Sequence, residues 1–321
     1  MGEPTPQASH DLGPQLEPAL VHACDGRLRD IEWFRTDWQR GGSATAHAVV
    51  ECDDGQCREV VVKLPVGPKE FRFATALGRT DAPTPRIAFA GTEVGGYDLA
   101  WLVMERLPGN PLAAHLHRQV FDDLAAAAAG FYRHAGEAWP VARDPEPFDW
   151  AALIARSREL VRVEASNESQ SWSHALRDVQ KHLPQILTKW NARDFNSWCH
   201  GDLHGGNAMH RPDGSGWGPG CCVLFDFAEV HAGHWVEDAV YLEKLYWAKP
   251  EVLDGAKPVS LIAKARRSQG LDTSDDYAGL ANIRRLLGAA AAPALNRRDA
   301  HPRFLHAALE MLHKLMPQVC R

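Results

Sequence analysis

The chain has 321 residues, 45% hydrophobic and 24% charged, with a formal net charge of −6 at pH 7. That composition supports a buried core and excludes collagen, coiled coil and overall disorder, and the acidic balance argues against a nucleic-acid partner, whose phosphates need Lys and Arg. The uncharged stretches 124–132 and 286–296 fall short of the roughly 18 apolar residues of a membrane span, so no membrane partner is expected.

The opening MGEPTPQASHDLG lacks the basic head and apolar run of a signal peptide, and residues 1–15 read as a loose tail. Strands are predicted at Arg27–Trp38, Thr45–Cys52 and Arg58–Leu64, separated by turns at 40–43 and 53–56. A helix follows at Lys69–Gly78, with Pro68 near its first turn, and then strands at Arg86–Ala90 and Asp98–Met104. After Pro108-Gly109 the pattern turns helical: Leu112–His117, Phe121–Glu137, Trp150–Val163 and Ser173–Trp190, the last interrupted by Pro184. A non-helical segment, Ser197–Phe227, holds nearly all the unusual residues. Helices resume at Trp235–Ala248, Val259–Gln269, Tyr277–Ala292 and Arg303–Met316. The seven cysteines are odd in number and scattered, which points to a reducing, cytoplasmic setting rather than a disulfide framework.

The strongest local signal is His200-Gly201-Asp202-Leu203-His204-Gly205-Gly206-Asn207. The second is Val223-Leu224-Phe225-Asp226-Phe227, whose apolar neighbours predict that Asp226 is held inside, where a carboxylate is costly unless paired or metal-bound. Upstream, Val60-Val61-Val62-Lys63 puts a lysine late in a strand, with Glu70 on the next helix. Trp101–Gly109 ends a strand where the composition changes.

The spacing of these motifs resembles the aminoglycoside phosphotransferase and choline-kinase group of small-molecule kinases, between Arg40 and Leu245. The resemblance implies an α+β, bilobal protein-kinase-like fold. A small β-rich N-terminal lobe with one helix would bind nucleotide over residues 16–107, and a larger, mainly helical lobe over 108–321 would hold the catalytic loop and the acceptor. Asp202 is then the catalytic carboxylate beside the acceptor hydroxyl, and Asn207 and Asp226 hold Mg2+ on the phosphates of ATP or another nucleoside triphosphate. Lys63 contacts those phosphates with Glu70 holding its ammonium, and the backbone around Glu105 and Leu107 reads the adenine edge. Ser43 lies in the turn that covers the phosphates, His200 is a hydrogen-bonding post and Asp238 tethers the loop. The chemistry suits these types, because phosphoryl transfer is mostly positioning and charge stabilisation and Mg2+ takes hard oxygen ligands. No Gly-x-Gly-x-x-Gly or His-Arg-Asp pattern is present, which favours the small-molecule branch over a protein kinase.

Two other readings compete: a metal-dependent hydrolase using His200, Asp202 and His204 with His210, His231, His234 and Asp226, and a non-catalytic nucleotide sensor. The implied partner is a small hydroxylated acceptor: an aminoglycoside-like antibiotic, with antibiotic resistance as the role, an amino sugar, or a choline-like or other amino alcohol. Asp272, Asp275 and Asp276 would suit a cationic amine, or simply form a solvated helix start beside Ser274.

Overall fold

The computed structural model describes residues 6–34, 42–143, 148–163, 168–295 and 302–320. Two units divide the chain: Met1–Ala114 with His204–Val230, and His115–Leu203 with His231–Arg321.

The first unit begins with helix α1 (Pro6–Ala23), followed by β1 (Leu28–Phe34), β2 (Ala44–Glu51), β3 (Cys57–Leu64), α2 (Pro68–Leu77), β4 (Ile87–Gly91) and β5 (Trp101–Glu105). The strands form one antiparallel sheet in the order β1-β2-β3-β5-β4. Successive side chains of a strand alternate between faces. Ala46, Ala48, Val50, Val60, Val62 and Val103 therefore share a buried face, which packs with Leu16 and Leu20 of α1 and with Cys24 just after it.

That packing corrects the expectation of a loose tail over residues 1–15, at least from Pro6 onward. Proline disfavours a helix interior, yet Pro14 and Pro18 both lie inside α1. Leu12, Leu16, Leu20 and Cys24 recur every fourth residue, and the stripe they form covers a sheet face that would otherwise meet water. Among its described residues the N-terminal unit thus has two α-helices rather than one. The predicted strand end at 35–38 and turn residues 40–41 lie outside the described residues.

The second unit takes over with α3 (Arg118–Ala138), α4 (Trp150–Val163), α5 (Ser169–Asn191) and β6 (Ser197–Cys199). The chain returns to the first unit for the hairpin β7 (Ala208–Arg211) and β8 (Cys221–Leu224), then closes the second with β9 (His231–Gly233), α6 (Val236–Lys244), α7 (Pro258–Ser268), α8 (Tyr277–Leu295) and α9 (Pro302–Val319). Trp172, Leu176, Val179, Leu183, Ile186 and Trp190 line one side of α5, at spacings of three or four, in the core shared with α4, α8 and α9. This stripe carries α5 unbroken through Pro184, where an interruption was expected. The predicted helix over 112–117 is a single 3-10 turn, Leu112–Ala114.

The expected boundary near Pro108 needs correction too, since residues 204–230 group with the N-terminal unit. Their hairpin is fastened there by the Leu224 N–H donating to the Pro83 carbonyl (2.8 Å) and by Arg211 on Glu105. Within the 211–222 loop, Arg86 Nε donates to the Trp217 carbonyl at 3.0 Å and the Arg58 guanidinium lies over the Trp217 ring. No helix among the described residues is long and apolar enough to cross a membrane.

Candidate active site

Alternation in β3 also decides what faces the other way. Val61 and Lys63 lie on the face opposite the α1 core, paired with His47 and Thr45 of β2 and with Met104 and Leu102 of β5. These six side chains form one wall of a cavity of about 600 Å³ in the first unit. Glu70, in the first turn of α2 and 8% exposed, lines it as well, and Lys63 Nζ donates to Glu70 Oε1 at 2.5 Å. Both residues retain partial contact with solvent, so the pair is worth more as a fixed position for the ammonium than as stability.

Leu107, Met209, Phe225 and Asp226 complete the cavity. The Phe225 N–H donates to the Asn207 carbonyl at 3.1 Å, which brings the start of β7 beside the residue preceding Asp226. Asn207 itself is buried and is not among the residues that line the cavity. Asp226 adopts φ +66° and is exposed, which corrects the expectation that it is held inside. The left-handed backbone turns its carboxylate to the cavity while Phe227 takes the buried position.

Of the expected nucleotide contacts, Ser43 is placed differently from what the sequence suggested. The Ser43 hydroxyl donates to the Pro65 carbonyl at 2.8 Å, and Ser43 does not line the cavity. Glu105 does line it, but its N–H is taken by the Arg86 carbonyl (2.8 Å) and its carboxylate is engaged by Arg211.

In the second unit, β6 pairs with β9 and leads directly into His200. Asp238, 1% exposed in the first turn of α6, accepts from the His200 N–H (2.7 Å), the Gly201 N–H (2.8 Å) and the Tyr132 hydroxyl (2.9 Å). Three donors satisfy a carboxylate that burial would otherwise penalise. Burial, reinforced by the Asp238 charge, holds the Tyr132 phenol well above its ordinary pKa, so it stays a donor. Gly201 sits at φ +83°, a conformation that favours glycine. His200 is fully buried, and its Nδ1 accepts from the Asp202 N–H at 3.3 Å. Asp202 is half-buried, and its Oδ1 accepts from the Tyr241 hydroxyl. On the first-unit side of the motif, His204 caps the 3-10 turn Gly205–Asn207, with Nδ1 accepting from the Gly206 N–H at 2.8 Å. A Cβ on Gly205 would come within 2.9 Å of the Ala113 nitrogen, so only glycine fits there.

The hydrolase reading needs a metal-binding cluster around His200, Asp202 and His204. Among the described residues the only group of three potential ligands is Cys199, His231 and Glu237. There Glu237 Oε1 already accepts from Arg193 Nε (3.1 Å) and the His234 N–H (3.0 Å), and the Cys199 thiol donates to the His234 carbonyl. The acidic residues considered for a cationic amine are also engaged: Asp272 by Ser274, Asp275 by His234 Nε2 at 2.6 Å, and Asp276 by the Gly279 N–H.

The sequence profile of the phosphotransferase enzyme family (APH) matches residues 37–257, more than half the chain. The chain belongs to the phosphotransferase enzyme family. Its reaction class is accordingly transfer of a phosphoryl group to a hydroxyl. No curated protein sequence matches it. Among solved structures, a Ralstonia eutropha protein provisionally named an aminoglycoside phosphotransferase is similar at 14% identity and TM-score 0.56, over 94% of this chain and 98% of that one. Aminoglycoside phosphotransferase APH(4)-Ia is similar at 12% identity and TM-score 0.53, over 95% and 98%. Choline kinase from Cryptosporidium parvum is similar at 11% identity and TM-score 0.51, over 97% and 94%. These likenesses identify the protein-kinase-like fold expected from the sequence.

Two side chains of this phosphotransferase escaped the sequence reading. Tyr241 follows Asp238 by three residues and so shares its helix face, a spacing from which it could have been found. Arg211 gave no such signal. Its Nε and terminal nitrogen meet both Glu105 oxygens at 2.7 and 2.5 Å, and it also donates to the Thr84 carbonyl at 2.9 Å, with both side chains 1% exposed. Burial works against its charge, and the Glu105 carboxylate more than offsets this, leaving the guanidinium above its ordinary pKa. Arg211→Met should cost about 3–5 kcal/mol, because it strands a buried carboxylate. Adding Glu105→Leu should restore much of that, as urea denaturation of the single and double variants would reveal. A single variant as stable as the wild type would mean that the pair contributes nothing.

Proposed function

We propose that this phosphotransferase moves the γ-phosphoryl group of ATP, or of another nucleoside triphosphate, to a hydroxyl of a small amine-bearing alcohol. The observation that carries the reading is the Lys63–Glu70 ion pair on the wall of the same cavity that Asp226 lines, next to the apolar surface of Val61, Leu102, Met104 and Leu107. A cavity whose lining combines apolar surface with a fixed ammonium and a carboxylate suits a base and its phosphates. Lys63 would hold the phosphates, and the backbone near Glu105 and Leu107 would meet the base edge.

Asn207 and Asp226 are the residues that would hold Mg2+. Their donor set, one neutral amide oxygen and one carboxylate, fits a hard cation, and the open position of Asp226 leaves room for phosphate oxygens and water. When bound, the ion would supply charge neutralisation across the phosphates. Asp202 would accept the hydroxyl proton as the acceptor oxygen bonds to the γ-phosphorus and the bond to the β-phosphate oxygen breaks, releasing the nucleoside diphosphate. His200 and Asp238 would keep that carboxylate's loop in place.

The acceptor class is supported by similar proteins. A thermostable APH(4)-Ia mutant is described in a ternary complex with AMP-PNP and hygromycin B, and choline kinase shares the fold. The test is nucleotide consumption by the purified protein with Mg2+ against aminoglycosides, amino sugars, choline and other amino alcohols. Acceptor-dependent release of nucleoside diphosphate, with a phosphorylated product by mass spectrometry, is expected. No acceptor-dependent turnover across the panel would overturn the acceptor class, and turnover requiring a second protein would favour the sensor reading.

A further inference from the structure

Helix α6 grips the His200–Leu203 loop at two points three residues apart. Asp238 holds the loop's backbone through the N–H groups of His200 and Gly201. One turn later, the Tyr241 hydroxyl donates to the side chain of Asp202 itself. On a helix, positions i and i+3 lie on one face, so the anchor of the backbone and the donor to the carboxylate arrive together. We propose that Tyr241 is a positioning residue for phosphoryl transfer, fixing through its hydroxyl the rotamer in which Asp202 meets the acceptor. The inference rests on Asp202 being the catalytic carboxylate.

The chemistry favours this role over plain packing. A carboxylate turns readily about the bond to its Cβ, and a hydrogen bond to one oxygen removes that freedom and directs the other. A hydrogen bond to a charged acceptor is among the stronger ones. Phenol is a suitable donor, because its ring carries the O–H on a rigid frame and stays protonated near neutral pH. The ring also lies beneath Lys244, whose Nζ is 5.5 Å from its centroid. Tyr241→Phe keeps that ring contact and removes only the donor.

The experiment uses the full-length protein in a double-mutant cycle of Tyr241→Phe and Asp202→Asn. Turnover is read as ADP release from MgATP, with water as acceptor when no alcohol is added. Tyr241→Phe should lower kcat roughly tenfold with the nucleotide KM unchanged, and should lower it no further in the Asp202→Asn background, because coupled residues are not additive. An independent readout is the carboxyl-carbon NMR signal of Asp202, assigned by its loss in Asp202→Asn, which should shift in Tyr241→Phe. Wild-type kcat in Tyr241→Phe, a full extra loss on top of Asp202→Asn, or an unmoved resonance would each overturn the inference. Full turnover in Asp202→Asn alone would remove the catalytic reading, and the inference with it.

Discussion

Replacing Asp202 by alanine should lower turnover by about 10²–10⁴-fold, the usual contribution of a positioned proton acceptor, while nucleotide affinity stays near that of the wild type. The separation follows from where the groups sit. All residues lining the 600 Å³ cavity belong to the first unit, whereas Asp202 is held in the second by His200 and Tyr241. A group that acts only as the hydroxyl loses its proton shows its loss in kcat rather than in binding. The fold should tolerate the change, because Asp238 grips the backbone N–H groups of His200 and Gly201 and not the Asp202 side chain. Steady-state kinetics with a nucleotide titration provides the check, and unaltered kcat would remove Asp202 from the mechanism.

Asp226→Gly should abolish the Mg2+-dependent part of nucleotide binding and at the same time raise stability. Asp226 lines the cavity in an exposed position, so little packing is lost with its carboxylate. Its φ of +66° costs a side-chain-bearing residue roughly 1–2 kcal/mol, which glycine avoids. Opposite signs for affinity and stability make the result hard to attribute to misfolding. Holding a non-glycine residue in that conformation is a local strain of the kind that persists where function requires it. Nucleotide titrations with and without Mg2+, alongside thermal melts, measure both effects. If Mg2+ enhanced nucleotide binding equally in variant and wild type, Asp226 would not be a ligand of the ion.

Much of the fold was legible from local pattern. The β-branched run Val60–Val62 was enough to place Lys63 on a strand, and the β3 register then puts it across from Thr45 and Leu102. The helix over Trp150–Val163 was legible from its period near 3.6, which reports on which side of an element is buried. Glu70 was legible through the family resemblance and the order of the motifs, since its spacing from Lys63 carries little signal by itself. The His200–Asn207 motif could be read because its residue types are rare in combination.

What escaped that reading was set by partners far away in the chain. Pro14 and Pro18 disfavour a helix, and α1 forms because its stripe of leucines covers a sheet face. Arg211 meets Glu105 across 106 residues, and Tyr132 meets Asp238 across 106 as well, separations that leave no local periodicity. The exposure of Asp226 was misjudged because apolar neighbours report the burial of a segment, while a single positive φ sends one side chain out of it. The order of residues along this chain therefore determined its elements and the chemical types at its site. Tertiary packing alone decided which of those groups are held, by what, and facing where, since burial and hydrogen bonding depend on neighbours that sequence distance does not reveal.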